Sequence, residues 1–431
     1  MRARVVLAFC PLLLGLAGPL GGTGRARTPP VAPPRPVASA SSSAPGFPPE
    51  AALDGERLGV APGQAWRGAP GSGPWSWQVD FGTERQIGSL LQSLGGHDFV
   101  RQDTPRAYRW EGSRDGLRWE ELPGTRVADE RRLLRLHRLP APRSYRHLRL
   151  QVTDAHGEAP TLREVEFDAD PQHRWEVPWV LAVNVTHDPA LPGHGREFIP
   201  LARTARPGLA AQQVWLADFH PEFLAVEPRP LAAFLSGSFR DWCEVDREPW
   251  RGAQQVLATR AVPLWASCGG AQGLAILAET GVDRPWDCPH CRDPRRPRLP
   301  IYTHLGHTGV RPCGDYSACV FERGPHRIRP VRADPVWAGL GAEFPAMESH
   351  CGQIGWAPRG WELLATGGPG TSTRVQCLKL RGFPIYAAQF HLEMDGTPET
   401  SRRIMANFLA EAARVPPRRL PRPPSPDRAA R

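Results

Sequence analysis

Cys268 follows a segment with the character of a strand and precedes one with the spacing of a helix. Residues 262–266 form an apolar run of strand length, Gly269 and Gly270 come directly after the cysteine, and residues 271–278 are helix-like. A strand, a sharp turn and a helix would place the cysteine at a helix N-terminus, where unpaired N–H groups and the helix dipole favour a thiolate. The glycines would let the backbone turn tightly and leave room for a substrate carbonyl. This pattern predicts a nucleophilic cysteine.

A thiolate nucleophile needs a general base, and the base needs a partner that orients it. Residues 385–390 have the composition of a buried strand that ends at His391, and Glu393 follows two positions later on the same side. A histidine at a strand end is more often structural than catalytic when it stands alone. Together with the turn at Cys268, the catalytic interpretation is favoured. We therefore expect Cys268, His391 and Glu393 to form a triad.

Four segments resemble the class I glutamine amidotransferase domain, in the order in which that family has them. They are Ser-Gly-Ser at 236–238, Ala-Ser-Cys-Gly-Gly-Ala-Gln at 266–272, the segment with a Ser-His pair at 347–365, and Gln-Phe-His-Leu-Glu at 389–393. The resemblance covers roughly residues 178–412. Three positions depart from the family pattern, because Ala266 and Ser238 replace glycines and Leu392 replaces a proline.

The resemblance implies an α/β domain of the flavodoxin-like kind that carries the Cys-His-Glu triad. It also implies an oxyanion hole from Gly237 and Gly269, and it makes Gln272 and His350 candidate substrate-binding residues. The triad would cleave a glutamine-type or γ-glutamyl amide through a cysteine thioester, with no cofactor required. The sequence has no phosphate-binding Gly-x-x-x-x-Gly-Lys loop, so hydrolysis without coupled synthesis is the simpler hypothesis. The alternatives are a γ-glutamyl peptidase and a non-catalytic surface-binding protein with a degenerate amidotransferase fold.

A second series of motifs runs through residues 46–168. Short alternating stretches, such as that at 75–82, are separated by Gly, Pro and Asp turns, which is typical of an all-β sandwich or barrel. The series resembles a discoidin, or F5/8 type C, domain. That resemblance implies a galactose-binding-like jelly roll that binds glycans or cell-surface components, often with a structural calcium. Trp66 and Trp75 could stack on a sugar ring, although packing in the core is the more frequent role of tryptophan.

Length and charge limit the number of domains and the kinds of partner. The 431 residues are enough for two domains, and the hydrophobic content of 41% is ample for packed cores. The net charge of +9 comes almost wholly from arginine, since Lys379 is the only lysine. The arginines are scattered among acidic residues, which argues against a nucleic-acid partner. The expected partners are a small-molecule or peptide amide substrate and a glycan or cell-surface ligand.

Both termini have the composition of segments outside a folded domain. A basic start followed by a short apolar run predicts a signal peptide at 1–26, and hence a secreted or periplasmic protein without a membrane span in its mature chain. Residues 27–45 have the composition of a Pro/Ala/Ser-rich linker. Residues 413–431 form a Pro/Arg-rich tail that we expect to be disordered.

The cysteines beyond the signal segment all lie in the second half of the chain. Two spaced pairs consist of Cys288, Cys291, Cys313 and Cys319. Their spacing would suit a tetrahedral zinc site, but an exported chain uses such cysteines more often in disulfides. Cys243, Cys351 and Cys377 are left over, and we expect packing to be the role of Cys351.

Overall fold

The computed structural model describes residues 34–99, 103–186, 191, 194–286, 301–306, 312 and 314–416. The predicted signal peptide and most of the predicted tail lie outside these residues, as do Cys288, Cys291 and Cys313. The described residues form two large sheets from consecutive parts of the chain, and a two-stranded ribbon.

The first domain is a β-sandwich whose strands pair antiparallel. Its strands are β1 (Val37–Ala40), β2 (Trp66–Arg67), β3 (Trp75–Leu94), β4 (Thr104–Ser113), β5 (Glu120–Glu121), β6 (Leu134–His156) and β7 (Thr161–Asp168). The order across the sheet is β2-β7-β3-β6-β4-β5, and β1 pairs with β3. The alternate residues from Trp75 to Phe81 are buried, which is the period of two expected for a strand. The register between β3 and β6 shifts after Asp80 and after Ile87, and such bulges bend long strands around a core.

The sandwich begins earlier in the chain than the sequence predicts. Strand β1 lies inside the segment 27–45 that the composition assigns to a linker. Its register with β3 runs from Val37 opposite Asp80 to Ala40 opposite Trp77. Small residues such as those of β1 are typical of linkers. Here they form a strand because they pair with the long neighbouring strand β3.

The tryptophans considered as sugar-stacking residues are part of the core. Trp66 is fully buried and donates its indole N–H to the Ser42 carbonyl at 3.1 Å. Trp75 is buried too, and a Cβ atom on Gly68 would lie 2.4 Å from its ring. Neither ring has a face open for a sugar, so the packing alternative holds for both.

The second domain has a nine-stranded mixed sheet. Its described elements are β8 (Trp179–Asn184), α1 (Phe198–Ala205), β9 (Ala210–Trp215), α2 (Pro221–Ala225), β10 (Ala232–Leu235), α3 (Trp250–Thr259), β11 (Leu264–Ser267), α4 (Gly269–Glu279), β12 (Tyr302–His304), β13 (Glu322–Pro330), β14 (Phe344–His350), β15 (Gly352–Ile354), β16 (Trp361–Gly367), β17 (Cys377–Leu380), β18 (Ile385–Ala388) and α5 (Pro398–Ala412). The order is β14-β13-β16-β17-β18-β11-β10-β8-β9, and β12 pairs with β15. The strands from β18 to β9 are parallel to one another, and the others pair antiparallel.

Both faces of this sheet are covered, because alternate residues of its parallel strands enter two separate cores. Leu264 and Ala266 of β11 pack with α3 and α4, whereas Trp265 packs on the opposite face with α1 and α5. Because β10, β11 and β18 run parallel to one another, they end at one common edge of the sheet. The chain leaves them at Ser236, Cys268 and Gln389, so this edge brings together the segments in which the sequence predicts a site.

The two domains share an interface around the buried side chain of Arg132. Its guanidinium donates to the carbonyl oxygens of Phe223 at 2.7 Å and Val226 at 3.0 Å, and to that of Pro228. It also lies over the ring of Trp179, 4.7 Å from the centroid. Burial lowers the pKa of Arg132 to about 9, so the group still carries its charge near neutral pH. A buried cation with three carbonyl partners specifies how the sandwich meets the second domain.

No helix in the described part of the chain is long and apolar enough to cross a membrane.

Candidate active site

Cys268 occupies a strained turn between β11 and α4. Its backbone has φ +47° and ψ −112°, in the half of φ space that side-chain-bearing residues rarely adopt. The turn is anchored by a hydrogen bond of 2.8 Å from the Cys268 N–H to the Ala388 carbonyl at the end of β18. The cysteine therefore stands at the N-terminus of α4, as the strand-turn-helix pattern predicts.

The two glycines after the cysteine serve close packing, and Cys268 itself makes the tight turn. A Cβ atom on Gly269 would lie 2.4 Å from the Ser238 nitrogen, and one on Gly270 would lie 2.6 Å from the Ser236 carbonyl oxygen. Larger residues would push the first turn of α4 away from the segment 236–238. The sequence analysis expects these glycines to allow a tight turn and to leave room for a substrate. In the structure they are required because a second backbone segment approaches closely.

His391 and Glu393 form a buried pair just beyond the end of β18. The ring Nδ1 lies 2.6 Å from Oε1 of Glu393, and the backbone N–H of His391 donates to the Met347 carbonyl at 2.8 Å. The carboxylate can only accept, so Nδ1 carries a proton and Nε2 is the nitrogen on the opposite edge of the ring. Within the described residues Nε2 makes no hydrogen bond.

The electrostatics of this pair favour a protonated ring. Burial works against the charge, but the charges of Glu393 and Cys268 outweigh it and raise the pKa of His391 well above its usual range. Burial also works against the carboxylate, yet His391 overcomes it and lowers the pKa of Glu393. The two side chains therefore form an ion pair close to the cysteine.

Gly237 lies where its own segment after β10, the turn at Cys268 and the segment at His391 come together. A Cβ atom placed on it would lie 3.3 Å from Cε1 of His391 and 3.7 Å from Cβ of Cys268. On another side, the Cys268 sulfur is 4.0 Å from the Ser349 carbonyl oxygen in β14. A side chain at this position would crowd the imidazole and touch the cysteine. The predicted triad residues and Gly237 thus converge.

Gln272 and His350, the candidate substrate-binding residues, already have protein partners. Gln272 donates to the Gly352 carbonyl at 2.9 Å and to Gln389 at 3.2 Å, and accepts from Trp242 at 3.2 Å. Nδ1 of His350 lies 2.9 Å from the same Gly352 carbonyl. Both side chains are buried. In this geometry they support the backbone around Gly352, and they offer no open polar face to a substrate.

Two buried carboxylates near the site escaped the sequence analysis. Glu348 lies 2.9 Å and Glu322 3.5 Å from Nε2 of His350, and all three side chains are buried. Glu348 stands two residues before His350 in β14. Residues two apart in a strand point to the same face, so strand periodicity could have indicated Glu348. No local signal could have indicated Glu322, because it comes from the neighbouring strand β13.

The cysteines outside the turn have different environments. Cys243, which the sequence leaves unassigned, is disulfide-bonded. Burial, and then the neighbouring Cys319, raise the pKa of the Cys351 thiol. Burial raises the pKa of Cys377 well above its usual range. In the described ranges no three His, Cys, Asp or Glu side chains are grouped as metal ligands.

Comparison with known proteins concerns mainly the first domain. Residues 37–167 match the family described as F5/8 type C domain, which confirms the resemblance of this part of the chain to that family. The curated proteins contain no match to the chain.

Similar solved structures cover about half or a third of the chain. A protein from Thermoplasma acidophilum, described as part of a GMP synthase, is 18% identical, with a TM-score of 0.40, and the match covers 56% of this chain and 96% of that chain. A family 32 carbohydrate-binding module from Clostridium perfringens, in complex with galactose, is 17% identical, with a TM-score of 0.25, covering 31% and 92%. A chitosan-binding module from Paenibacillus is 18% identical, with a TM-score of 0.26, covering 30% and 92%. TM-scores this low allow no functional conclusion.

Proposed function

We propose that this protein is a cysteine-dependent amidohydrolase of the class I glutamine amidotransferase-like superfamily, with a discoidin-like domain that binds a glycan or another surface component. The proposed enzymatic activity depends on one observation. Cys268 and His391 both lie within van der Waals range of the Cβ that Gly237 lacks, and Glu393 holds the far nitrogen of the ring at 2.6 Å. A structural cysteine and a structural histidine have no need of a shared glycine and an orienting carboxylate.

The arrangement of the second domain supports the same proposal. The nucleophile follows β11, and the base follows the adjacent parallel strand β18, so both lie at the carboxyl edge of the sheet. Helices cover both faces of these strands, as in a flavodoxin-like α/β domain. Active sites of such domains are found at that edge.

In the proposed reaction, the sulfur of Cys268 attacks the carbonyl carbon of a glutamine-type or γ-glutamyl amide. The carbonyl electrons move to oxygen, and backbone N–H groups stabilise this oxyanion, each such donor being worth about 2.7–4 kcal/mol. The oxyanion collapses, the C–N bond breaks, and His391 gives its Nε2 proton to the leaving amine. Water, deprotonated by the now neutral His391, attacks the thioester and releases the carboxylic acid and the thiolate. No cofactor is part of this reaction.

Hydrolysis assays of the purified protein test this proposal. We expect wild type to hydrolyse L-glutamine or a γ-glutamyl dipeptide, and Cys268→Ala to lose at least about 1,000-fold in rate. Cys377→Ala is the matched control, because it removes a buried thiol from β17 and leaves the site intact. Equal rates for wild type and Cys268→Ala would refute the proposal.

The substrate panel also separates the alternatives. Hydrolysis of γ-glutamyl peptides without hydrolysis of free glutamine would identify the protein as a peptidase. If a chloroketone analogue of glutamine failed to label Cys268 at all, the second domain would be a binding unit with no catalytic role.

The binding role proposed for the first domain rests on its family match and not on any residue identified in the structure. It is tested by applying the full chain, as the inactive Cys268→Ala variant, to a glycan array. Saturable binding to a defined glycan is expected, and absence of binding to every glycan class would contradict this role. The proposed export through the segment 1–26 is tested by expressing the full chain and locating it inside or outside the cell.

A further inference from the structure

The carbonyl of Gly237 is held by two donors that do not belong to the predicted triad. Nε2 of His194 lies 3.2 Å from this oxygen, and the Ser236 hydroxyl also lies 3.2 Å from it. A carbonyl oxygen can only accept, so His194 must carry its proton on Nε2. The histidine comes from the segment between β8 and α1, which none of the four recognised motifs includes.

Fixing this carbonyl also fixes the direction of the next N–H group. The peptide bond between Gly237 and Ser238 is trans, so its N–H points opposite to its carbonyl. The Ser238 nitrogen lies against Gly269, as the 2.4 Å contact with a Cβ placed there demonstrates. Among the described residues no turn or loop carbonyl accepts from the Ser238 N–H, and the Gly269 N–H belongs to the first turn of α4, where the helix itself supplies no acceptor. Two unpaired donors therefore lie side by side next to the nucleophile.

His194 is itself held firmly in position. Its carbonyl accepts a hydrogen bond of 2.9 Å from the Gln213 side chain in β9. The following residue, Gly195, has φ +89°, and a Cβ atom there would lie 3.0 Å from Cβ of Ser236. The ring of Phe239 covers the imidazole, with the two ring centroids 5.0 Å apart. These contacts tie the histidine to the segment 236–238.

We infer that His194 is a positioning residue: by holding the Gly237 carbonyl it orients the Ser238 N–H, which lies beside Gly269, as a donor to the oxyanion of the proposed reaction. This inference rests on the proposed function. The donor from this turn is then the N–H of Ser238 and not that of Gly237. Gly237 lies between Cys268 and His391, where a Cβ atom would crowd the imidazole.

Loss of His194 should harm reactions that form an oxyanion and spare those that do not. Without the histidine, the carbonyl of Gly237 keeps only the Ser236 hydroxyl as a donor. The peptide between Gly237 and Ser238 can then rotate, and the Ser238 N–H turns away from the oxyanion. Removal of one oxyanion donor typically costs about 100- to 1,000-fold in rate. Because His194→Ala misdirects the donor without deleting it, we expect a loss of about 10- to 100-fold.

Two electrophiles distinguish these reactions without knowledge of the natural substrate. The thiolate displaces iodide from iodoacetamide directly, forming one C–S bond, and no oxyanion arises. With a chloroketone analogue of glutamine, the thiolate first adds to the ketone carbonyl, giving an anionic tetrahedral adduct. The sulfur then displaces chloride, the carbonyl re-forms, and a thioether remains. Labelling rates at Cys268 are measured by mass spectrometry for wild type, His194→Ala and His194→Gln.

We expect His194→Ala to slow chloroketone labelling about 10- to 100-fold while iodoacetamide labelling stays within about twofold. His194→Gln should recover most of the chloroketone rate, because its amide nitrogen can reach the same carbonyl. His220→Ala, which removes a histidine hydrogen-bonded to Glu222 at the start of α2, is the matched control and should change neither rate.

The outcomes separate failure of this inference from failure of the proposed function. If wild type reacts with the chloroketone at Cys268 and His194→Ala reacts equally fast, the role of His194 is refuted and the amidohydrolase proposal stands. If both rates fall together in His194→Ala, the histidine is merely structural and the inference is refuted. If wild type is alkylated by iodoacetamide but not by the chloroketone, both proposals fall.

Discussion

The two domains use their most recognisable residues in opposite ways. In the sandwich, the residues that identify the family are large aromatic side chains, and they lie in the core, as Trp66 and Trp77 do. In the second domain, the resemblance rests partly on a cysteine, a histidine and a glutamate. Cys268 and His391 both lie beside Gly237, and Glu393 contacts the far nitrogen of the ring. The recognised residues therefore serve packing in one domain, whereas we propose that they serve catalysis in the other.

The largest effect expected from this comparison is the loss of stability on replacing Trp77. Its side chain is fully buried, packs edge-on against Trp110 at 6.1 Å, and donates to the Pro49 carbonyl at 2.8 Å. Trp77→Ala should lower the free energy of unfolding by about 3–5 kcal/mol, and Trp77→Phe by less. Both variants should keep the wild-type kcat per folded molecule, measured at a temperature where the chain is folded. A change in kcat without a change in stability would contradict the proposed difference between packing residues in the first domain and catalytic residues in the second.

Arg132 tests whether the two domains are one mechanical unit. Arg132→Ala leaves the carbonyls of Phe223, Val226 and Pro228 without their buried donor. We expect a loss of about 2–4 kcal/mol in stability and a separation of one thermal transition into two, measured by calorimetry. Arg135→Ala, which removes a partly exposed arginine three residues later in β6, is the control and should leave a single transition. Unchanged melting of Arg132→Ala would mean that the interface contributes little.

The smallest of the three effects concerns Glu393. In Glu393→Gln, burial acts on His391 without the opposing carboxylate, so the pKa of His391 should fall, as measured by NMR titration. We expect a rate loss on the order of 100-fold, or about 2.7 kcal/mol, because the ring loses both its charge partner and its orientation. An unchanged pKa of His391 would remove the carboxylate from the proposed triad.

The pH dependence of stability follows from the same pair. The pKa of His391 is raised on folding, so its contribution is complete below about pH 6.5 and is lost as the pH rises through the raised value. The pKa of Glu393 is lowered on folding, so its contribution is present above about pH 4.5 and is lost as the pH falls. Glu393→Gln should therefore destabilise the protein most between about pH 4.5 and 6.5, where both contributions are complete. Denaturant unfolding across this range measures the difference.

The parts of the site that the sequence could indicate are those carried by one continuous segment. The turn at Cys268 is predictable because an apolar run, two glycines and a helical spacing are adjacent in the chain. His391 and Glu393 are two residues apart just after a strand, so their contact depends little on distant parts of the chain. The role proposed for His194 could not be found in this way, because its partner Gly237 is 43 positions away. Glu322, which comes from a neighbouring strand, is hidden for the same reason.

The sequence by itself determined the residue types, the strand-turn-helix at Cys268, and the division into an aromatic-rich β domain and a second domain with polar residues at strand ends. These properties arise from periodicity and from neighbours along the chain, which act over a few residues. Only the tertiary structure decided that His194 holds the Gly237 carbonyl, that Gln272 and His350 are already engaged, and that a buried arginine joins the domains. Such features depend on the direction of a peptide group or the burial of a charge. Both are set by contacts between distant segments, and the local sequence does not encode them.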